Sequence, residues 1–417
     1  MKTRLTTILV LLLALLGCSK QKEGGDSSER IPEDAFSVKM PEVAQEVDGV
    51  VFDASQASCL AALNSLGFNT LKKVYNGKAS VISPLSLYLA LGMLANGTEG
   101  ESLEELLAVL GAKDNIMLRD FCHSLLLQMP AVDMNAKLKL ANTVVVDDNY
   151  PLKSAYRKSM ADYYYSPVEN LPFSNSDLVL NLVNGWCNDA TEGLIPKVIE
   201  RLDKGVFMFI MNALCIKAAW SAPFADSQVR KRPFNGGEQL DFLCEQAELK
   251  YLETESFRMV RRPFSAGKYV FDIILPNENY TISDILSLLS KGEWAGYSNI
   301  MKGQLVKLQF PVIDIDEQYN LLDVLKNLGV CKVFGKEADL SPMFESGALQ
   351  PGKVIQKSKV TVDKNGVEAA AVTAITMESS AGAPGSDYVE FDANRPFVYT
   401  ISEISSGAIL FAGVFSN

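Results

Sequence analysis

Histidine is almost absent: His123 is the only one in 417 residues. Any Ser-His-Asp or Cys-His triad would have to use it, and a multi-histidine metal site is excluded. In RDFCHSLLLQMP it sits in a helical apolar pattern, where a structural role is the ordinary one. No C-x-x-C pair occurs, so neither a zinc site nor a dense disulfide framework is signalled. Cys59, Cys122, Cys187, Cys215, Cys244 and Cys331 are widely scattered and read mostly as small buried hydrophobes. The chain has no phosphate-cradling glycine loop, no H-E-x-x-H, no nucleophile elbow and no carboxylate–metal loop. It also lacks a basic cluster with interleaved aromatics, which argues against nucleic acid as a partner. These absences point away from an enzyme, a metal or a cofactor.

What is present suits a folded domain. Apolar residues make up 48% and charged residues 21%, ordinary globular proportions with ample material for a core. The N-terminus stands apart. Lys2 and Arg4 precede an apolar run, Leu5 to Leu16, and then Gly17-Cys18. That is the layout of an export signal, residues 1–17, and LLGC resembles a bacterial lipobox in which Cys18 becomes the lipidated first residue. A plain export signal with a chance cysteine is the alternative. Residues 18–45 then read as a flexible tether, too polar at SKQKEGGDSSERIP to bury a face. The expectation is an exported, membrane-anchored lipoprotein, periplasmic or at the cell surface. Loss of Lys2 and Arg4 takes the 39 basic residues to 37 against 50 acidic, a net charge of −13.

Residues 46–417 read as one large mixed domain without internal repeats. Ser83 is a natural N-cap with Pro84 at the first helical position, opening a helix over Leu85 to Leu94. A second helix runs from Glu101 to Leu110, with Glu101, Glu104 and Glu105 on a solvated face. LKLANTVVVDD reads as a buried strand, and DLVLNLVNGWCNDATEG returns to helical spacing. Val206 to Trp220 is apolar almost throughout and suits a central strand covered on both faces. KYVFDIILPNEN, QLVKLQFPVIDID and VIQKSKVTVD add strands, while DILSLLS and YNLLDVLKNLG add helices. The C-terminal RPFVYTISEISSGAILFAGVFS is a hairpin around Ser405-Ser406-Gly407. Strands and helices do not alternate regularly, so the class is α+β.

The stretch VDKNGVEAAAVTAITMESSAGAPGSDYVEF, residues 362–391, fits no ordinary element. From Val367, alternate residues Val367, Ala369, Ala371, Thr373, Ile375 and Met377 are uncharged, and both charges, Glu368 and Glu378, fall on the other face. A strand buried on one face fits this pattern, and so does a short alanine-rich surface helix. Periodicity alone leaves the two even.

Several passages together resemble the serpin family, over nearly the whole chain from about residue 50. They are SPLSLYLALGMLANGTEGESLEELLAVLG, VNGWCNDATEGLIPKVI, NALCIKAAWSAPF and RPFVYTISEISSGAILFAGVFSN, in that order, with NGVEAAAVTA in the place of a hinge. The resemblance implies three β-sheets, eight to nine helices and an exposed reactive-centre loop near the C-terminus. It implies a monomeric suicide inhibitor that a serine protease cuts and acylates, after which the loop inserts into the main sheet. The membrane would be met through the lipid anchor only. The alternative is a non-inhibitory carrier, chaperone or substrate on the same fold.

Carried over by motif, the hinge is Gly366, Val367, Glu368, Ala369, Ala370, Ala371 and Val372, with Val367 where the family usually has Thr or Ser. The reactive bond is Ser380-Ala381, with Ser379-Ser380 and Met377-Glu378 as alternatives. No Lys or Arg occurs from Asn365 to Asn394, which disfavours a trypsin-like target and suits elastase-like or subtilisin-like proteases, Met377 leaving a chymotrypsin-like one open. Ser83, Ser86 and Asn212 resemble the family's shutter, and Trp220 its breach. Gln356 stands where a histidine is usual, and Lys364 where an acidic residue is usual. The stretch SAGAPGSDYVEFDANRP is longer than usual.

Overall fold

The computed structural model describes residues 37–203, 206–345, 354–367 and 387–416. Helix α1 (Ala57–Val74) leads into β1 (Ser80–Ile82), α2 (Pro84–Ala95), α3 (Gly100–Val109) and α4 (Asn115–Gln128). Then come β2 (Lys139–Asp147), α5 (Ser154–Tyr164), β3 (Val168–Leu171), α6 (Ser176–Ala190), β4 (Met208–Cys215) and β5 (Ala218–Ala219). Strands β6 (Val229–Pro233), β7 (Gln239–Glu253), β8 (Phe257–Pro263) and β9 (Tyr269–Pro276) follow, then α7 (Ile282–Leu289) and α8 (Trp294–Ile300). The chain continues through β10 (Lys302–Pro311), β11 (Ile313–Asn320), α9 (Leu322–Asn327), β12 (Ile355–Val362) and β13 (Gly366–Val367). It ends with β14 (Val389–Asp392), β15 (Phe397–Glu403) and β16 (Ile409–Phe415).

Local chemistry explains the strongest of these elements. Ser83 caps α2, its hydroxyl accepting from the Ser86 N–H, with Pro84 at the first position. Asp114 caps α4, and Asn175 caps α6 in the same way. In the β15–β16 hairpin, the Glu403 carboxylate accepts from the N–H and hydroxyl groups of both Ser405 and Ser406, which fixes the turn. His123 serves structure: Nδ1 lies 3.0 Å from the Tyr163 carbonyl and the ring stacks on Tyr165. Cys59, Cys122, Cys187 and Cys215 are buried, Cys244 is half-buried and Cys331 is exposed.

The described residues form nine α-helices and three sheets. The largest runs β1-β16-β15-β9-β8-β7-β10-β14, with β6 also on β7. A second is β11-β12-β13-β5, and a third is β3-β2-β4. Two sequence expectations change. Val206 to Trp220 is not one covered central strand: it breaks at Ile216-Lys217 into β4 and β5, and Met208 to Asn212 are only half-buried. Among the described residues β4 has one paired neighbour, β2, so its other edge is open. The acids of α3 are not simply solvated either. Glu105 accepts from the N–H groups of Cys331 (2.6 Å) and Lys332 (2.7 Å), while Glu101 pairs with Lys332.

Candidate functional site: an open slot between two sheets

Chain connectivity joins the second and third sheets. β4 leads through Ile216-Lys217 into β5, β5 pairs with β13, and β13 pairs with β12. The two sheets are therefore tied at one end and face each other across β4 and β12 below it. A cavity of about 70 Å³ in this gap is lined from both strands, by Ile210 to Leu214 on one side and Val354 to Ser358 on the other. A second, of about 50 Å³, continues along Val206 to Met211 to Ile355. Among the described residues the facing edges of β4 and β12 are unpaired along this gap, a slot whose backbone groups are a template for an extended chain.

At the tied end, Asp363 closes a tight turn. Its backbone N–H donates to the Gly366 carbonyl at 3.0 Å, and its carboxylate accepts from the N–H groups of Asn365 (2.7 Å) and Gly366 (3.2 Å). Val367 then pairs with Val362 on one side and Ala218 on the other, antiparallel to both. Gly366 is required here: at φ +147° a Cβ would lie 2.1 Å from the Ala218 carbonyl oxygen. Trp220 locks the turn, donating from its backbone N–H to Asn365 (2.8 Å) and from Nε1 to Asp363 (2.7 Å). Its ring stacks on Phe264 at 4.3 Å, and the Arg262 guanidinium lies 4.4 Å from it and 4.1 Å from Phe224. Arg262 is held in turn by Glu245, at 2.6 and 3.0 Å. Lys364 pairs with Asp226, which raises the lysine pKa and lowers that of the aspartate. An acidic residue at 364 is thus replaced by a contact of opposite polarity.

Midway along the slot, Ser83, Ser86, Asn212 and Gln356 border the same cavity. Gln356 Oε1 accepts from the Ser83 N–H at 3.2 Å, and its Nε2 donates to the Ser83 carbonyl at 2.8 Å. The Ser83 hydroxyl donates to the Leu410 carbonyl at 2.8 Å and lies 3.0 Å from that of Ser86. The amide of Gln356 thus supplies the donor and the acceptor that a neutral histidine would, without a titrating group. Asn212 turns the other way, donating to Asn142 Oδ1 at 2.8 Å on β2. Trp220 is not part of this group; it sits at the tied end.

Of the sequence candidates, Ser83, Ser86, Asn212, Gln356, Trp220, Gly366 and Val367 fall in the slot or at its head. Cys18, Glu368, Ala369, Ala370, Ala371, Val372, Met377, Glu378, Ser379, Ser380 and Ala381 lie outside the described residues. Sequence reasoning missed Asn142, Asp226, Glu245, Arg262 and Phe264. Only DKNG, with an Asn-Gly pair after an aspartate, carries a local signal for the turn. Among the described residues no group of three His, Cys, Asp or Glu side chains is placed to hold a metal ion, and no helix is long and apolar enough to cross a membrane.

Comparison with known proteins places the chain in a family. The family model described as Serpin (serine protease inhibitor) matches residues 61–417. Antitrypsin of Bombyx mori is 27% identical over 361 residues, covering 84% of this chain and 91% of its own. The structure of the thermophilic serpin tengpin in its native state superposes with a TM-score of 0.80 at 24% identity, over 91% of this chain and 100% of that one. Human thyroxine-binding globulin complexed with thyroxine gives a TM-score of 0.78 at 20% identity, over 87% and 98% of the two chains. The latter two likenesses speak to fold alone. With a family model spanning most of its length and the α+β architecture of three sheets and nine described helices, the chain belongs to the serpin family.

Proposed function

We propose that this protein is a single-use inhibitor of serine proteases, in which the chain after Val367 is cut and its upstream part enters the slot as a strand. The observation that carries the reading is the place of β13. Gly366 and Val367 already lie between β12 and β5, antiparallel to both, at the head of the open edges.

Continuing the Val362–Val367 register sets residue 369 opposite Val360, 371 opposite Ser358 and 373 opposite Gln356. Directly opposed residues share a face. Val360, Ser358, Gln356 and Val367 are buried, so Ala369, Ala371 and Thr373 would face inward and Glu368, Ala370 and Val372 outward. The inward set is small and uncharged, as entry requires. The register supports the strand reading of the sequence over the helical one.

In the reaction, the protease serine attacks the Ser380 carbonyl, the C–N bond to Ala381 breaks, and the ester links protease to inhibitor. Insertion then carries the acylated protease away from its resting position. The absence of Lys and Arg from Asn365 to Asn394 supports an elastase-like or subtilisin-like target. The protein itself is not an enzyme on this reading; it acts as a monomer outside the cytoplasm, anchored through lipid on Cys18.

The test is incubation of the mature protein with elastase-like, subtilisin-like and trypsin-like proteases. A complex that survives denaturant, with the cut mapped by mass to Ser380-Ala381 or its neighbours, is expected with the first two. Turnover of the loop with no complex and no rise in thermal stability would instead assign a carrier, chaperone or substrate role. Fatty-acid labelling that is lost in Cys18→Ser tests the anchor.

A further inference from the structure

The segment that leaves α6 borders the gap between β4 and β12. Ile195 and Val198 line the cavity shared by β4 and β12. Thr191, Leu194 and Ile195 close a space of only about 10 Å³ with Lys359, Val360 and Val367, next to where entry begins. Polar contacts of this segment run back to α6 and within itself: Asn184 of α6 accepts from the N–H groups of Val198 (2.8 Å) and Ile199 (3.0 Å), and Thr191 Oγ1 accepts from that of Ile195 (3.0 Å). The tie to the sheet is Glu192. Its carboxylate meets Lys139 of β2 at 2.5 Å and Lys217, between β4 and β5, at 2.7 Å.

The backbone at Glu192 is costly. It has φ +52°, a left-handed position that glycine or asparagine takes more cheaply, and Gly193 follows at +87°. A glutamate there, reaching both Lys139 of β2 and Lys217 in the β4–β5 connection, is a specific contact rather than a solvated charge. Hydrogen bonds from the two lysines hold its carboxyl down to about 2. Lys359 of β12 borders the small cavity beneath, and Asp189 of α6 is engaged by Asn188.

We infer that Glu192, with Lys139 and Lys217, is a latch that positions the 191–199 segment across the slot and so sets the rate at which a strand enters. The inference rests on the trapping reading above. The ion pairs break while the strand passes and re-form once it is in place, so they slow entry and leave the end state alone.

The test uses the mature full chain and a synthetic peptide of residues 366–379 as the entering strand, its uptake followed by the rise in thermal midpoint with time. Glu192→Gln is expected to speed uptake about three- to tenfold, the scale of losing a partly exposed two-partner ion pair. Lys139→Gln should act in the same direction and add little to Glu192→Gln. Asp162→Asn, which breaks the exposed Lys158–Asp162 pair elsewhere, should leave uptake unchanged. Equal uptake by wild type and Glu192→Gln overturns the latch. If wild type takes up no peptide, the trapping reading fails, and the latch is then read by amide hydrogen exchange. Faster exchange confined to residues 194–199 in Glu192→Gln supports it, and unchanged exchange sinks it.

Discussion

The backbone N–H and C=O of Ser83 both end on one side chain, that of Gln356. The Ser83 carbonyl keeps the Leu87 N–H of α2 as a second partner (3.1 Å), so Gln356→Ala leaves the buried Ser83 N–H alone without one and should cost about 1–3 kcal/mol, read from denaturant midpoints. Gln356→His makes a sharper prediction. Neutral imidazole can accept from the Ser83 N–H and donate to its carbonyl, whereas imidazolium can only donate. Protonation is then disfavoured in the folded state and the folded pKa falls below the usual value of about 6.5. The stability of this variant relative to wild type should be full above that value and fall as the solution is acidified. A flat difference between pH 8 and pH 5 would contradict the geometry. Glu192 titrates lower. With its folded pKa depressed to about 2, its contribution is present above the ordinary carboxylate value and is lost as pH falls toward 2, so wild type and Glu192→Gln should converge there. Ser83, Ser86 and Gln356 were legible through family resemblance. Asn142 and Glu192 were not, because nothing in a single sequence marks which distant polar residue answers an orphaned group.

Among the elements, β13 is one of the two shortest and is paired on both sides. Gly366→Ala sets a Cβ against the Ala218 carbonyl and Ala219 Cα, so β13 must leave β5 at a cost of about 1–3 kcal/mol. Faster hydrogen exchange at the Trp220 amide, which donates to Asn365, would report the loss directly. The register of the entering strand gives a paired test. Ala371→Arg puts a charge opposite buried Ser358 and should turn inhibitor into substrate, while Ala370→Arg, facing out, should still form complex with the protease. Similar behaviour of the two variants would refute the register. Elements with strong local grammar were readable: Ser83-Pro84 opens α2, and the C-terminal hairpin turns at its Ser-Ser-Gly. The slot was not, since it is an unmade pairing between β4 and β12, strands far apart in the chain. Composition also misled at Val206 to Trp220, where an apolar run looked fully covered and is only half-buried over Met208 to Asn212, beside an edge left open among the described residues.

For the whole molecule, the slot sets a direction of change. On the trapping reading, an entering strand would gain backbone hydrogen bonds to β4 and β12, so a cut near Ser380 should raise the thermal midpoint above that of the uncut protein. A cut molecule that melts at or below the intact one would remove the energetic basis of trapping. The far side of the cut behaves differently. β14 is parallel to β10 and held by Arg232 on Asp392 at 2.8 and 2.7 Å and by Lys307 on Glu390 at 3.0 Å. Behind it, β15 and β16 are buried along their whole length in the largest sheet. A cut protein is therefore two chains in one body: the piece from Ala381 onward stays woven into the core with no covalent link to the rest. Spent molecules should run at full size on a sizing column and split into a large and a small fragment only once the fold is dissolved.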